Sequence, residues 1–520
     1  MSPGTTAVPT YGARLAKLTA GLVTAPAALE VSDVTLDSRA AGPGALFLAC
    51  RGHGRHGAEF VGEALARGAR AVLYEPSPGA LELVEAGLTG LAGDRGPGAD
   101  QVFVAPVPQL SHHVGIIADR FFGEPSQAVT VAGITGTNGK TTCAWLLAQA
   151  LGQCDRPAAY MGTIGFGFPG VLAATEHTTG DAVSVHRRLA AMRELGAEVV
   201  SMEVSSHALE QHRVGGVRFH TAAFTNLTRD HLDYHGTMTA YADAKARLFA
   251  WPGLALRVIN VDDEFGTQLA AQVSAAQLVI TTRAGARREP PPGARVVSAV
   301  RVEAAISGLI IDVESSWGAA RLNVPLIGEF NADNALTVLA VLLAWDIPLA
   351  KAVAALESCR AAPGRMEAFG GRDGMPLAIV DYAHTPDALA KALRAARRHC
   401  RGSLRVIFGA GGDRDPGKRP MMGRIAAELA DELVVTDDNP RSEPPGRIVA
   451  DILAGIPAGA AARVEHDRAS AIRTTLERSG PEDVVLIAGK GHEEYQIYGS
   501  ERRPFSDQSV ARAALEAMRP

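Results

Sequence analysis

The residues of this chain best placed to do chemistry are Gly136-Thr137-Asn138-Gly139-Lys140-Thr141-Thr142. They lie between an apolar run, Val129 to Ile134, and an apolar-periodic segment, Cys143 to Leu151. The run reads as a buried strand, the glycines as a tight turn and the periodic segment as a helix. Backbone N–H groups point outward at such a helix start and the helix dipole favours negative charge, so the segment predicts a phosphate site. Lys140 is expected to reach the β- and γ-phosphates, and the Thr141 hydroxyl to ligate Mg²⁺. The standard phosphate loop has a glycine six residues before its lysine. That position is Ile134 here, which leaves the shorter Gly-x-x-Gly-Lys-Thr.

Other groups of polar residues end apolar runs. Glu203 closes Val199–Val204 and is followed by Ser205-Ser206-His207; His231 follows Ala222–Leu227 within Asn226-Leu-Thr-Arg-Asp230-His231. Beside a phosphate loop, strand ends of this kind are where oxygen and imidazole ligands for Mg²⁺ are needed, although each residue alone also suits a polar turn. Lys245 sits in a helical pattern, Tyr241 to Phe249, where spacing alone suggests a solvated charge. Asn334 precedes the apolar helix Ala335–Trp345 and reads as an N-cap. Toward the C-terminus four apolar runs end in polar clusters: Asp381 to His384, Asp413 to Asp415, Asp437 to Arg441 and Gly489 to Glu493. Open α/β sheets bind ligands outside the carboxyl ends of their strands. Arg414 and Arg441 are guanidinium forks suited to carboxylates, and Glu493 adds the opposite charge, so the set suits a zwitterion such as an amino acid.

The elements that must position these residues fall into three blocks. Residues 1–125 hold short apolar runs (Ala45–Cys50, Ala71–Tyr74, Val102–Ala105) between Gly- and Pro-rich stretches. Residues 126–358 alternate strand-like and helical segments around the phosphate loop, and 359–520 carry the four clustered strand ends. The pattern predicts an α/β protein of three domains: a substrate-binding α/β domain, a central domain with a mostly parallel sheet, and a doubly wound C-terminal domain. A 520-residue chain with 47% hydrophobic and 21% charged residues has a full-sized core. Net charge of −5 and few aromatics leave no footprint for nucleic acid or an anionic membrane. The longest apolar run, Leu336 to Trp345, is broken by Asp346 and Pro348 before it could span a bilayer. There is no basic-then-apolar leader, and five cysteines without C-x-x-C spacing suggest reduced thiols, so a cytoplasmic location without structural zinc is expected. Nothing calls for a partner chain, and a monomer is the default expectation.

Taken together, the chain resembles the Mur ligase family of peptidoglycan synthesis. The likeness runs in order through Thr35-Leu-Asp-Ser-Arg39, the phosphate loop, Glu203-Val-Ser-Ser-His-Ala-Leu209, Gln211-His-Arg213 and Asn226 to His235. It continues through Gly364-Arg-Met-Glu367, Asp381 to Asp387, Gly411 to Asp415, Asp438-Asn439-Pro440-Arg441 and Gly489-Lys-Gly-His-Glu493. The resemblance implies that Leu36, Ser38, His53, Gly54 and Arg55 meet the nucleotide end of a UDP-N-acetylmuramoyl dipeptide. It implies that Thr178, Thr179, Ser205, Gln211 and Arg213 line the path of the sugar and peptide. Lys245 would be carbamylated (N6-carboxylysine) and hold Mg²⁺ with Glu203, His231 and Thr141; such a change needs a buried lysine near metal. Asn334, Arg365 and Asp381 would join Gly136–Thr142 in contacting ATP. Arg414, Asp438, Asn439, Pro440, Arg441, Gly489 and Glu493 would bind the incoming amino acid. The chain departs from the family pattern at Gly180 and Arg55.

In this family Asp-Asn-Pro-Arg marks meso-diaminopimelate as that amino acid. Diaminopimelate is lysine with a second carboxylate at its far end, and lysine would leave the Arg441 fork unpaired. The implied reaction moves the γ-phosphoryl of ATP to the D-glutamyl γ-carboxylate, and an amine of diaminopimelate then displaces phosphate. Rival readings are a lysine-adding ligase of the same family, a folylpolyglutamate-synthase-like ligase, and a catalytically silent nucleotide-binding scaffold. The Thr35–Arg39 and Asp438–Arg441 blocks oppose the second, and intact Lys140, Glu203, His231 and Lys245 oppose the third.

Overall fold

Unbroken runs of Val, Ile, Leu and Ala need cover on both faces, which a parallel sheet wrapped by helices provides. The computed structural model describes residues 11–52, 54–89, 102–175, 177–283, 292–460 and 462–519, and such runs build its sheets. His53 lies outside the described residues. The N-terminal sheet has four parallel strands in chain order: β1 (Asp33–Thr35), β2 (Ala45–Ala49), β3 (Ala71–Tyr74) and β4 (Phe103–Pro106). Helix α1 (Leu110–Phe121) packs against it through Leu110, Val114, Ile117 and Phe121, the spacing of one helical face.

The chain then divides into two compact units. The first holds the described residues of Met1–Thr135, Pro157–Ala222 and Arg229–Ala255; the second holds those of Gly136–Arg156, Ala223–Thr228 and Leu256–Pro520. Strand β5 (Thr130–Thr135) closes the first segment, and α2 (Lys140–Gln153) lies in the second unit. Besides β5, the first unit contains β6 (Ala158–Gly162), β7 (Gly165–Phe168), β8 (Val171–Ala173), α3 (Ala182–Glu194) and β9 (Val199–Glu203). The strands stand in the order β8-β7-β6-β9-β5. Strands β6, β9 and β5 are parallel, and their register sets Glu203 beside Ile134. Next come β10 (Phe219–Phe224), which starts in this unit, and α4 (Met238–Ala246).

In the second unit β11 (Leu256–Asn260), β12 (Leu278–Thr282) and β13 (Arg295–Ala305) are parallel. They are followed by an antiparallel continuation, β14 (Gly308–Ser315) and β15 (Gly318–Val324). The strand-like runs read from sequence stop before this meander. Its β15 buries Leu322 and Val324 while leaving Gly318, Ala319, Arg321 and Asn323 to solvent, which antiparallel strands tolerate. Helix α5 (Phe330–Ala344) follows, buried from Ala335 to Leu343. The C-terminal sheet contains β16 (Glu367–Gly370), β17 (Leu377–Asp381), β18 (Leu404–Phe408), β19 (Glu432–Val435), β20 (Ala462–Val464) and β21 (Val484–Ala488). Its order is β16-β17-β21-β18-β19-β20 and all but β16 are parallel. Among the described residues no helix is long and apolar enough to cross a membrane, and all five cysteines are free thiols.

Candidate active site

The phosphate loop folds as strand, turn and helix because two glycines allow it. Gly136 (φ 150°) passes so close to Thr225 that a Cβ would stand 1.9 Å from its Oγ. Gly139 (φ 86°) begins α2 with a Cβ position 2.4 Å from Asn334 Oδ1. The loop is tied down by Thr225 and Asn226: Thr225 Oγ1 donates to Asn138 O at 2.6 Å, and Asn138 N donates to Asn226 Oδ1 at 3.0 Å. Lys140 Nζ donates to the carbonyls of Gly136 (2.9 Å) and Thr137 (2.8 Å), so its ammonium lies over the turn that would cradle phosphate. Thr141 is buried in the first turn of α2, with Thr142 half-buried beside it. Ile134 belongs to β5 and is 1% exposed, so the strand continues where a longer phosphate loop would have its first glycine.

Asn334 does not cap its helix, as its sequence position had suggested. Helix α5 begins at Phe330, which places Asn334 in its second turn, 4% exposed. Its Nδ2 donates to Asn331 Oδ1 at 2.7 Å, and Oδ1 faces Cys143 Sγ at 3.3 Å and Gly139. Asn334 therefore packs under the phosphate loop. Cys143 is the helix residue that meets it.

In the first unit Glu203 ends β9 and is 1% exposed. Its carboxylate accepts hydrogen bonds from Tyr160 Oη, from Thr163 N at 2.8 Å and from Thr163 Oγ1 at 3.2 Å. The expected substrate-side residues are joined to it. Thr178 Oγ1 stands 3.0 Å from Thr163 Oγ1, and Thr179 Oγ1 donates to the Glu203 carbonyl at 2.9 Å. Arg213 donates to Thr179 O at 3.2 Å and to Gln211 Oε1 at 2.9 and 2.6 Å, while Ser205 Oγ caps the short helix 206–210. Sequence reading passed over Tyr160 and Thr163, whose one signal is a hydroxyl at the end of an apolar run.

Lys245 is 1% exposed, so the solvated-surface reading of it does not hold. Its Nζ lies 4.5 Å from the centre of the Tyr241 ring. The same Tyr241 ring is met by His235 at 5.2 Å and His231 at 6.0 Å, and His207 is 4.9 Å from His231 and 5.3 Å from His235, centre to centre. Burial and the neighbouring imidazoles hold His207 and His235 below the ordinary histidine range. The His231 side chain is about half exposed and its backbone is left-handed (φ 52°). Among the described residues no three His, Cys, Asp or Glu side chains stand together as a metal cage. A single buried carboxylate such as Glu203 would suit Mg²⁺, which takes one or two carboxylates and fills its shell with water and phosphate oxygens.

At the nucleotide end expected from sequence, Leu36 is half-buried and Gly54 exposed. Ser38 donates to Glu63 at 2.7 Å, and Arg55 pairs with Glu59 at 2.7 Å. In the C-terminal sheet Asp381 ends β17 and accepts from Met366 N at 2.8 Å and Ala383 N at 2.9 Å; burial raises its carboxyl above the ordinary range. The Arg365 guanidinium lies 5.0 Å from the Tyr382 ring centre. Arg441, left-handed at φ 54°, donates to Gly412 O at 2.7 Å, and Gly411 leaves room for both Arg441 and Arg414. Asp438, Asn439 and Pro440 are buried after β19, and Gly489 (φ 120°) leaves room for the Asp438 carboxylate, 2.5 Å from where a Cβ would be. Asn439 Nδ2 donates to Glu493 at 2.8 Å. The amino-acid set thus gathers on neighbouring strand ends of one sheet.

Comparison with known proteins adds the descriptions "Mur ligase family, catalytic domain" over residues 30–121, "Mur ligase middle domain" over 134–342 and "Mur ligase, glutamate ligase domain" over 364–491. The chain belongs to the Mur ligase family. A curated relative from Alkalilimnicola ehrlichii, a UDP-N-acetylmuramoyl-L-alanyl-D-glutamate–2,6-diaminopimelate ligase, is 48% identical over 494 residues, covering 93% of this chain and 95% of that one. A solved ligase of the same description superposes with TM-score 0.70 at 33% identity, covering 98% of this chain and 99% of the other. Folylpolyglutamate synthase of Mycobacterium tuberculosis, solved with ADP, reaches TM-score 0.54 at 17% identity over 72% of this chain and 91% of its own. That last likeness is of fold alone. This Mur ligase has the family's three α/β domains.

Proposed function

We propose that this Mur ligase joins meso-diaminopimelate to the D-glutamyl γ-carboxylate of UDP-N-acetylmuramoyl-L-alanyl-D-glutamate, using ATP and releasing ADP and phosphate. The observation that carries the choice of amino acid is the Arg441–Arg414–Glu493 set on adjacent strand ends, two guanidinium forks with one carboxylate. Whole-length similarity to ligases of that description supports it.

Lys140, already aimed over the turn by two carbonyls, binds the β- and γ-phosphates and offsets charge as the γ-phosphoryl moves. The P–O bond to ADP breaks as one forms to the substrate carboxylate. The resulting acyl phosphate has phosphate as its leaving group. The diaminopimelate amine attacks the acyl carbon, loses a proton and expels phosphate, leaving an amide. Thr178, Thr179, Ser205, Gln211 and Arg213 orient the dipeptide, and Leu36, Ser38, His53, Gly54 and Arg55 its nucleotide. Asn334, Arg365 and Asp381 position ATP. Glu203, Thr141, His231 and a carbamylated Lys245 would hold Mg²⁺, which supplies charge neutralisation to the phosphates when bound. ATP as substrate and free thiols fit a cytoplasmic reaction.

The test is phosphate release by the purified chain with ATP, Mg²⁺ and the UDP-muramoyl dipeptide. Release that does not depend on diaminopimelate refutes the ligase reading. Equal use of lysine refutes the role of Arg441. For Lys245→Ala, rescue by short carboxylates is expected; unchanged activity removes carbamylation from the mechanism.

A further inference from the structure

Lys490 stands inside Gly489-Lys-Gly-His-Glu493 and has no task in the proposed reaction. It is fully buried (0% exposed), and an ammonium taken out of water must be paired to be tolerated. Its Nζ donates to Asn439 Oδ1 at 3.2 Å and to Glu493 Oε2 at 3.0 Å, and lies 5.5 Å from the Tyr495 ring centre. Asn439 Oδ1 also accepts from Ile497 N at 3.1 Å, and Asn439 Nδ2 donates to Glu493 Oε2 at 2.8 Å. Two donors on Oδ1 allow one orientation of that amide and no flip. Both bonds to Glu493 fall on Oε2, and Oε1 accepts none among the described residues.

Two other cations of this sheet end have hydrogen-bond partners of their own. Arg468, fully buried, is bidentate to Asp507 at 2.7 and 2.8 Å and donates to Ala488 O at 3.0 Å. Lys418 donates to His384 O at 2.9 Å. Among the described residues Lys490 is the cation that pairs directly with Glu493, at 3.0 Å.

We propose that Lys490 is a positioning residue of the amino-acid site: it locks Asn439 and Glu493 Oε2 together so that Oε1 faces the far ammonium of the incoming amino acid. This rests on the diaminopimelate reading. Lys490 itself touches no reacting atom. It acts through Glu493, whose charge would select a substrate carrying that second ammonium.

The test compares diaminopimelate with 2-aminopimelate in the wild type, Lys490→Gln and Lys490→Met. The analogue keeps both carboxylates, and since its one amine must be the nucleophile, it lacks the far ammonium. Lys490→Gln retains an N–H donor without charge. It is expected to raise the diaminopimelate KM by about tenfold or more while kcat stays within about threefold, as for a lost charge-assisted bond. Its preference for diaminopimelate over 2-aminopimelate should fall by about tenfold, with the KM values for ATP and the UDP-dipeptide unchanged. An unchanged preference, or all three KM values rising together, overturns the proposal. If both Lys490 variants fail to fold, Glu493→Gln gives the independent reading: it should abolish the preference, and full preference in that variant overturns the proposal. A wild type that ligates neither amino acid would instead overturn the parent reading.

Discussion

Replacing Gly162 with alanine tests whether Glu203 is held where the reaction needs it. Gly162 closes β6 outside the left-handed region, so alanine brings no backbone strain. What it brings is a methyl carbon 2.2 Å from Glu203 Oε1 and 2.4 Å from Tyr160 Oη, about 1 Å or more short of ordinary contact. Neither neighbour can step aside freely: Tyr160 is 0% and Glu203 1% exposed. The carboxylate is also held by Tyr160 Oη and by both donors of Thr163. Relief therefore displaces Glu203 by about 1 Å and breaks some of those bonds. Misplacement on that scale costs about 100-fold in rate, and overpacking a full core costs about 1–3 kcal/mol in stability. The assay is phosphate release with all three substrates present, alongside urea unfolding. Gly152→Ala is the control: the position lies in α2, nothing stands within 4 Å of its Cβ, and alanine there should add about 0.5–1 kcal/mol and leave kcat alone. Wild-type turnover and stability in Gly162→Ala would show that Glu203 is not rigidly positioned or not needed.

Lys140→Met should lose about 1000-fold in kcat/KM for ATP, because the transferred phosphoryl charge loses its fixed cation; circular dichroism should show an intact fold, and retained turnover refutes the role. Arg441→Met should cost about 30-fold or more in kcat/KM for diaminopimelate, with little change for lysine, which has no second carboxylate to lose; equal losses for both would place Arg441 elsewhere. His399 is 2% exposed, donates from Nδ1 to Ala305 O at 2.6 Å and accepts Gly328 N–H on Nε2 at 2.9 Å, and burial holds its folded pKa below the ordinary value of 6.5. Below that value the unfolded chain takes up the proton first, so this contribution to stability is full above about pH 6.5 and declines as pH falls. Urea midpoints should drop on acidification, and His399→Gln should flatten that part of the slope; an identical slope in the variant refutes it.

The phosphate loop, the parallel strands and the polar strand ends were legible because each depends on local sequence. An apolar run, a glycine pair and a following amphipathic stretch have few other ways to fold. The antiparallel meander of β14 and β15 escaped notice because a half-solvated strand is diluted by polar residues that look like loop. Asn334 reads as a cap from sequence, and only the packing of α5 against α2 shows that its side chain turns to Gly139 and Cys143. Lys490 is a similar case: nothing in a lysine between two glycines signals that it is fully buried.

The sequence by itself determined the order of the elements, the phosphate loop and the family, since these follow from residue types at fixed short spacings and from ten motifs in register. Tertiary structure alone decided which charges are buried and what each one faces. Glu203 is held by Tyr160 and Thr163, Lys245 lies beneath Tyr241, and Lys490 is locked to Asn439 and Glu493. The physical reason is that the worth of a charge depends on its desolvation and its partners, and those partners come from residues far apart in the chain.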